Sequence, residues 1–240
     1  MNDDSWNSLM MVGVRERDNG RDDYAIMFFL DAAFNEGVTN EQYARANQAL
    51  GVTYRKLGVL SIAGHHARTA VIAAELTNDK PLQAACKRDY AEVIHDMALG
   101  QHSASRRRML DKAADMLLES LRLVRSEQHI NVAEEAATIS FLALVKYHQI
   151  GDGYMLAAES IARFEELEAS GAPHHVYHVN ALIRYIRILP RTRRKASVKR
   201  ALALLPEAGL ESRRRDILVA LHFGDRGYRL AKSIAQRLKR

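Results

Sequence analysis

The chain has 240 residues, of which 48% are hydrophobic and 27% charged, enough apolar material for one large helical domain or two small ones. A single cysteine, Cys86, excludes an intrachain disulfide framework and fits a reducing compartment, where it reads as a buried small hydrophobe. Charge is uneven: residues 184–240 hold 17 Lys+Arg against 4 Asp+Glu, net +13, while the other 183 residues hold 18 against 25, net −7. A basic end on an acidic body calls for an acidic partner, or for the body itself as that partner. No apolar run approaches the roughly 18 residues that cross a bilayer. The opening Met-Asn-Asp-Asp is acidic, unlike a signal peptide. The expected location is cytoplasmic, with no membrane partner.

Four prolines and thirteen glycines among abundant Ala, Leu, Arg and Glu favour helix almost throughout. Residues 1–21 are polar. Trp6, Leu9, Met10 and Val12 suit one docked helical turn, and a mobile arm suits the segment equally. Asp22 or Asp23 caps a helix running through FFLDAAF to about Phe34, closed by Gly37. Thr39 and Gln42 have capping-box spacing at the start of the next helix, which ends at Gly58. A partner helix spans about 59–76, and Pro81 is placed for the first turn of the one after it. Helices then follow at 81–99, 104–125, 129–150, 154–169, 174–189 and 192–205, with a last pair at 211–222 and 225–239 divided by Phe223-Gly224-Asp225.

The stretch ALGVTYRKLGVLSIAGHHARTAVIAAEL carries the most information. Leu50, Gly51, Tyr54, Leu57, Gly58, Ala63, Ala67 and Ala70 place a large residue, a small one, an aromatic, Leu-Gly and then alanines on one face. Small residues let two helix backbones approach without a cavity or a clash. Leu144, Tyr147, Ile150 and Gly151, followed by Ala157, Ala158 and Ala162, repeat the spacing, and Leu182 and Tyr185 echo it. The pattern resembles a tetratricopeptide (TPR) repeat and covers most of residues 40–190. The unit around residues 81–100 departs from it, with Val93 and Asp96 where the small residue and the aromatic should stand. Helix-ending glycines at 58, 100 and 151 are 42 and 51 residues apart, longer than the TPR period of about 34.

The resemblance implies an all-α fold of antiparallel helical hairpins stacked as a right-handed superhelix, an α-solenoid. It would span residues 22–240 as one domain, with 184–240 as a basic capping region. It also implies a concave face lined by the first helix of each hairpin. Position by position, that face takes Arg45, Gln48, Val52 and Arg55, then Lys87, Tyr90 and Ile94, then Phe141, Val145 and His148, then Asn180, Ile183 and Arg187. Such a mixture of cations, amides and apolar groups suits a protein or peptide partner bearing an acidic or carboxylate group.

The basic end offers another surface. Arg191, Arg193, Arg194, Lys195, Lys199, Arg200, Arg213, Arg214 and Arg215 are suited to nucleic-acid phosphates, with salt-sensitive affinity. They lack interleaved aromatics for stacking on bases. A solvated, polar end of a helical array explains the same residues. Val219, Leu221, Tyr228, Leu230 and Ile234 read as core. His174, His175 and His178, and His65 with His66, invite a metal reading, but the segment is HHVYH and not HExxH, and a third ligand type is missing. The expectation is no metal and no cofactor. Phosphate-binding glycine loops, GxSxG and paired cysteines are absent. Glu134-Glu135 and Glu165-Glu166 read as helix-surface pairs. The chain is therefore expected to bind and not to catalyse.

Overall fold

The computed structural model describes residues 3–128, 131–210 and 213–238, without the side chains of 3–4, 232–233 and 235–238. Among these residues the protein is all-α, with no strand. The helices are α1 (Asp3–Asp18), α2 (Asp22–Ala33), α3 (Asn40–Leu57), α4 (Leu60–Glu75), α5 (Lys80–Ala98), α6 (Ser103–Arg125), α7 (Val132–Ile150), α8 (Tyr154–Ala169), α9 (His175–Ile188), α10 (Arg194–Leu204) and α11 (Arg214–Leu238). A 3-10 turn, Arg191–Arg193, precedes α10. The helix starts expected at 129 and 211, and the end expected at 239, lie outside the described residues. The chain divides into two compact units, Met1–Leu123 and Val124–Arg240.

In the first unit, neighbouring helices pack as the sequence pattern implies, α1 on α2, α2 on α3, α3 on α4 and α4 on α5. Residues 3–18 form a helix whose Trp6 is buried and donates its indole N–H to the Ala32 carbonyl at 3.2 Å. Trp6, Phe29 and Leu50 share one core cluster, so α1 is part of the unit's interior. Asp22 does not cap α2. It is buried and pairs with Lys56 at 2.7 Å, because Arg21 holds the cap position. The Thr39–Gln42 capping box is formed in both directions. At Gly51 α3 and α4 approach closely: a Cβ there would lie 3.2 Å from the Ala67 backbone nitrogen. Tyr54 stacks on His66 of α4, whose ring is hydrogen-bonded to Asn47 at 2.9 Å. Ser120 of α6 donates to the Ala84 carbonyl of α5 at 2.8 Å.

The second unit repeats the hairpin plan with α7 on α8, α9 on α7 and α8, and α10 on α9. Asn131 caps α7 through the Glu134 amide, and Gly151 ends it in the left-handed conformation, as Gly58 ends α3. Ser160 of α8 donates to the Ala136 carbonyl of α7 at 2.8 Å. Phe164, Leu182, Ile183, Ile186, Leu204 and Leu205 form an apolar core that reaches Ile217, Ala220 and Tyr228 of α11. Within α11, Gly224 leaves the helix with φ 62° and ψ −153°, splitting it into two parts where the sequence suggests a division.

Candidate functional site

The residues assigned to an inner face gather into two polar clusters, one in each unit. In the first unit, one row of α3 faces α5. Arg45 reaches Glu41 at 2.9 Å and Asp79 at 3.1 Å. Gln48 donates to Asp89 at 2.8 Å. Arg55 pairs with Glu92 at 2.5 Å and with Asp96 at 3.5 Å. Asp89, Glu92 and Asp96 are three and four positions apart, so helical periodicity sets them along one face of α5. The result is a ladder in which each α3 donor meets an α5-side carboxylate. Burial raises the Asp89 carboxyl above its ordinary range, with Arg88 acting against this and Glu92 adding to it.

Lys87 lies deeper, with a side chain only 6% exposed, and holds Glu75 at 2.5 Å and Glu119 at 3.1 Å. Burial alone would lower its ammonium, but the hydrogen bonds to those two carboxylates outweigh it and raise the group. Tyr90 and Val52 are half-buried, and the Lys112 ammonium sits 5.3 Å from the Tyr90 ring centre. Ile94 is buried.

In the second unit the cluster closes around one carboxylate. His148, from the last turn of α7, places Nε2 2.7 Å from Asp225 Oδ2. Arg187, from the last turn of α9, donates Nε and Nη2 to Asp225 Oδ1 at 2.9 and 2.7 Å. Arg229 adds an Nε donor to Oδ2 at 2.8 Å. An ionised carboxylate only accepts, so the His148 Nε2 carries the proton. Burial would raise the Asp225 carboxyl, but the hydrogen bond from His148 and the charge of Arg187 hold it far below the usual carboxylate range. Burial lowers His148, against the pull of Asp225 and with the help of Arg187 and Arg229. Beside this centre the Arg187 guanidinium lies 4.3 Å from the Tyr228 ring centre. The Tyr228 hydroxyl is 3.3 Å from Arg213 Nη2, and Arg213 also donates to Asn180 Oδ1 at 3.3 Å.

The structure therefore brings His148 and Arg187 together, and connects Asn180 to them only through Arg213 and Tyr228. Phe141, Val145 and Ile183 are core, with the Arg184 guanidinium over the Phe141 ring at 5.1 Å. The sequence reading missed Asp225 and Arg229, and it read Tyr228 as core, which it is, without its contact to Arg187. Asp225 stands out in hindsight as one of only four acidic residues in 184–240, directly after a glycine. Leu230 and Ile234 are not core: they are 63% and 47% exposed, because the second part of α11 turns Asp225 and Tyr228 inward. Glu135 is no surface pair either. It is buried between Arg125 at 2.6 Å and Arg163 at 2.7 Å.

The basic residues at the C-terminal end separate into two groups. Arg194 turns inward and donates to the Leu189, Ala220 and Leu221 carbonyls at 2.8–3.1 Å. Arg200 pairs with Glu168, and Arg213 with Asp216. Arg191, Arg193, Lys195, Lys199, Arg214 and Arg215 are exposed, and no ion pair joins them to a carboxylate among the described residues. His174 stacks on Tyr177, His175 pairs with Glu207 at 3.1 Å, and His178 is buried against Phe164. Among the described residues no group of three or more His, Cys, Asp or Glu side chains converges on a metal position. Burial, with the nearby Asp89 charge, pushes the Cys86 thiol up to about 12. Among the described residues no helix is long and apolar enough to cross a membrane.

No protein-family model matches the chain, and no curated protein matches it.

Proposed function

We propose that the chain is a TPR-like helical-repeat adaptor or regulatory module, without catalytic activity, that binds a protein or peptide segment through an acidic or carboxylate group. The observation that carries this reading is the Asp225 receptor. His148 and Arg187, two residues that the repeat pattern places on the inner face, grip a carboxylate through three donor–acceptor contacts of 2.7–2.9 Å. Charge-assisted and two-pronged hydrogen bonds of this kind are the strong ones in carboxylate recognition. The close approach at Gly51 and the packing of successive helices support the repeat reading. The first helices of successive hairpins start 40, 52 and 43 residues apart (Asn40, Lys80, Val132, His175), so the units are longer than the TPR norm of about 34.

The test is capture from nuclease-treated native lysate with the wild-type chain and Arg187→Lys as parallel baits. Lysine keeps the charge and loses the two-nitrogen grip. A protein retained by wild type and lost by Arg187→Lys of unchanged helicity supports the reading. Identical capture by both sinks it.

A second reading has its own observation: the exposed set Arg191, Arg193, Lys195, Lys199, Arg214 and Arg215, which pairs with no carboxylate among the described residues. Nucleic-acid binding through these cations requires affinity for a DNA or RNA oligomer that falls steeply with added salt. Affinity that is flat across salt excludes it.

A further inference from the structure

We infer that the part of α11 from Asp225 onward is a built-in ligand for the α7–α9 carboxylate receptor, and that the external partner competing for this receptor is an acidic helix bearing Asp or Glu with an aromatic residue three positions on. The inference rests on the adaptor reading and assigns both its ligand chemistry and its resting state.

Three observations carry it. The first is the break before the segment. Gly224 has φ 62°, which L side chains rarely adopt, and a Cβ there would lie 2.5 Å from Arg194 Nη2. Arg194 meanwhile satisfies the Ala220 and Leu221 carbonyls at 3.1 and 3.0 Å. The first part of α11 is thus finished as a helix before the segment begins, and does not clamp it by continuing into it.

The second is the way the segment docks. Asp225 and Tyr228 are three apart and share one helical face. Asp225 enters the receptor with its side chain 5% exposed, and Tyr228 lies over Arg187. Leu230 and Ile234, four apart, are left in water. A helix held simply as core buries its apolar face and exposes its charges. This one turns a carboxylate and the Tyr228 ring together into the second unit, with Tyr228 joining the core, and leaves Leu230 and Ile234 outside, so a charged group stands at the centre of the docked face.

The third is the economy of charge. The last 57 residues hold four acidic residues in a strongly basic stretch. Of those described, Glu207 and Asp216 are solvated, and Asp225 alone is buried. Arg229, four residues after Asp225, belongs to the segment itself. The receptor proper is His148 and Arg187, flanked by Asn180 and Arg213, and a different helix presenting the same carboxylate and ring meets the same donors.

A resident ligand lowers the apparent affinity for an outside one by the fraction of molecules with the site open. The probe is a fluorescent alanine-based helical peptide carrying one Asp and, three residues on, one Tyr. The full chain binds it weakly, and Asp225→Ala, which removes the resident carboxylate, binds it at least tenfold more tightly. Replacing the peptide's Asp by Asn, or adding Arg187→Lys to the Asp225→Ala chain, cancels the gain. Equal binding by wild type and Asp225→Ala overturns the built-in ligand and leaves the adaptor reading standing. No binding by either, with helicity intact, overturns both. Hydrogen exchange on the wild-type chain decides the matter if Asp225→Ala does not fold. Amides of 225–231 exchanging at least tenfold faster than those of 179–186 support a segment that undocks as a unit, and equal protection overturns it.

Discussion

The two polar clusters use the same chemistry and differ in where the carboxylates come from. In the first unit, Asp89, Glu92 and Asp96 sit on α5, a helix fixed by its own hairpin and by Cys86, Val93 and Ile94 in the core. In the second unit, the carboxylate is Asp225, on a segment that follows a helix break and leaves Leu230 and Ile234 exposed. A ladder between two scaffold helices distributes charge over several pairs, so losing one leaves neighbours to compensate. A knot around one carboxylate concentrates it. The same groups therefore make a static seam in one place and an exchangeable contact in the other.

The largest expected effect follows from that concentration. Asp225→Ala leaves Arg187, 10% exposed at its side chain, facing His148 and Arg229 with no counter-charge. Breaking a buried pair by removing one partner costs about 3–5 kcal/mol. Denaturant unfolding followed by a probe in residues 124–240 should show a loss in this range, and a loss below about 1 kcal/mol would mean that the carboxylate is dispensable to the resting fold.

Next comes acid sensitivity in the second unit. His178 is 2% exposed at its side chain, its Nε2 has no hydrogen-bond partner, and burial with the nearby Arg200 charge lowers it to about 4. Glu168 pulls the other way, and His175 adds to the lowering. The folded value lies below the unfolded value near 6.5. Between those two pH values the unfolded chain therefore takes up a proton that the folded chain does not. Stability falls as pH falls through that window, by about 3 kcal/mol in all. His178→Phe, stacked on Phe164, should flatten that slope. An unchanged slope would place the acid sensitivity elsewhere.

Smaller again is the matching change in the first unit. Glu92→Gln removes the charge nearest Arg55 but leaves Asp96 at 3.5 Å, and Arg55 keeps access to water with a side chain 24% exposed. The expected cost is about 1–2 kcal/mol, the worth of a hydrogen bond to a charged group. A cost equal to that of Asp225→Ala would erase the contrast between ladder and knot.

Much of the fold was legible because its signals are local. The Thr39 capping box, Pro81 in the first turn of α5, the glycine ends of α3 and α7 and the division at Gly224 each depend on a few neighbouring residues. Helix α1 was less legible, since Trp6 finds its burial and its carbonyl partner on Ala32, 26 residues away. The site was half legible for the same reason. The TPR resemblance implied that His148 and Arg187 lie on an inner face, but the residue that joins them is Asp225, 77 and 38 positions further on. Leu230 and Ile234 misled because a four-residue spacing of apolar side chains marks a helix face without saying whether anything covers it.

The smallest effect on stability is expected where the second reading of function is decided. Lys195 and Lys199 are exposed on α10, four apart, on a unit whose other cations at Arg194, Arg200 and Arg213 are committed to internal partners. Charge reversal of both to Glu should change stability by no more than about 0.5 kcal/mol, as for surface sites without a partner to lose. The pair then separates the two readings cleanly. If the exposed set grips phosphates, reversal should reduce the slope of log affinity against log salt by roughly one to two contacts' worth and leave acidic-peptide binding unaltered. If the knot is the binding surface, oligonucleotide affinity is negligible before and after reversal, and only changes at Arg187 or Asp225 move the binding of an acidic helix.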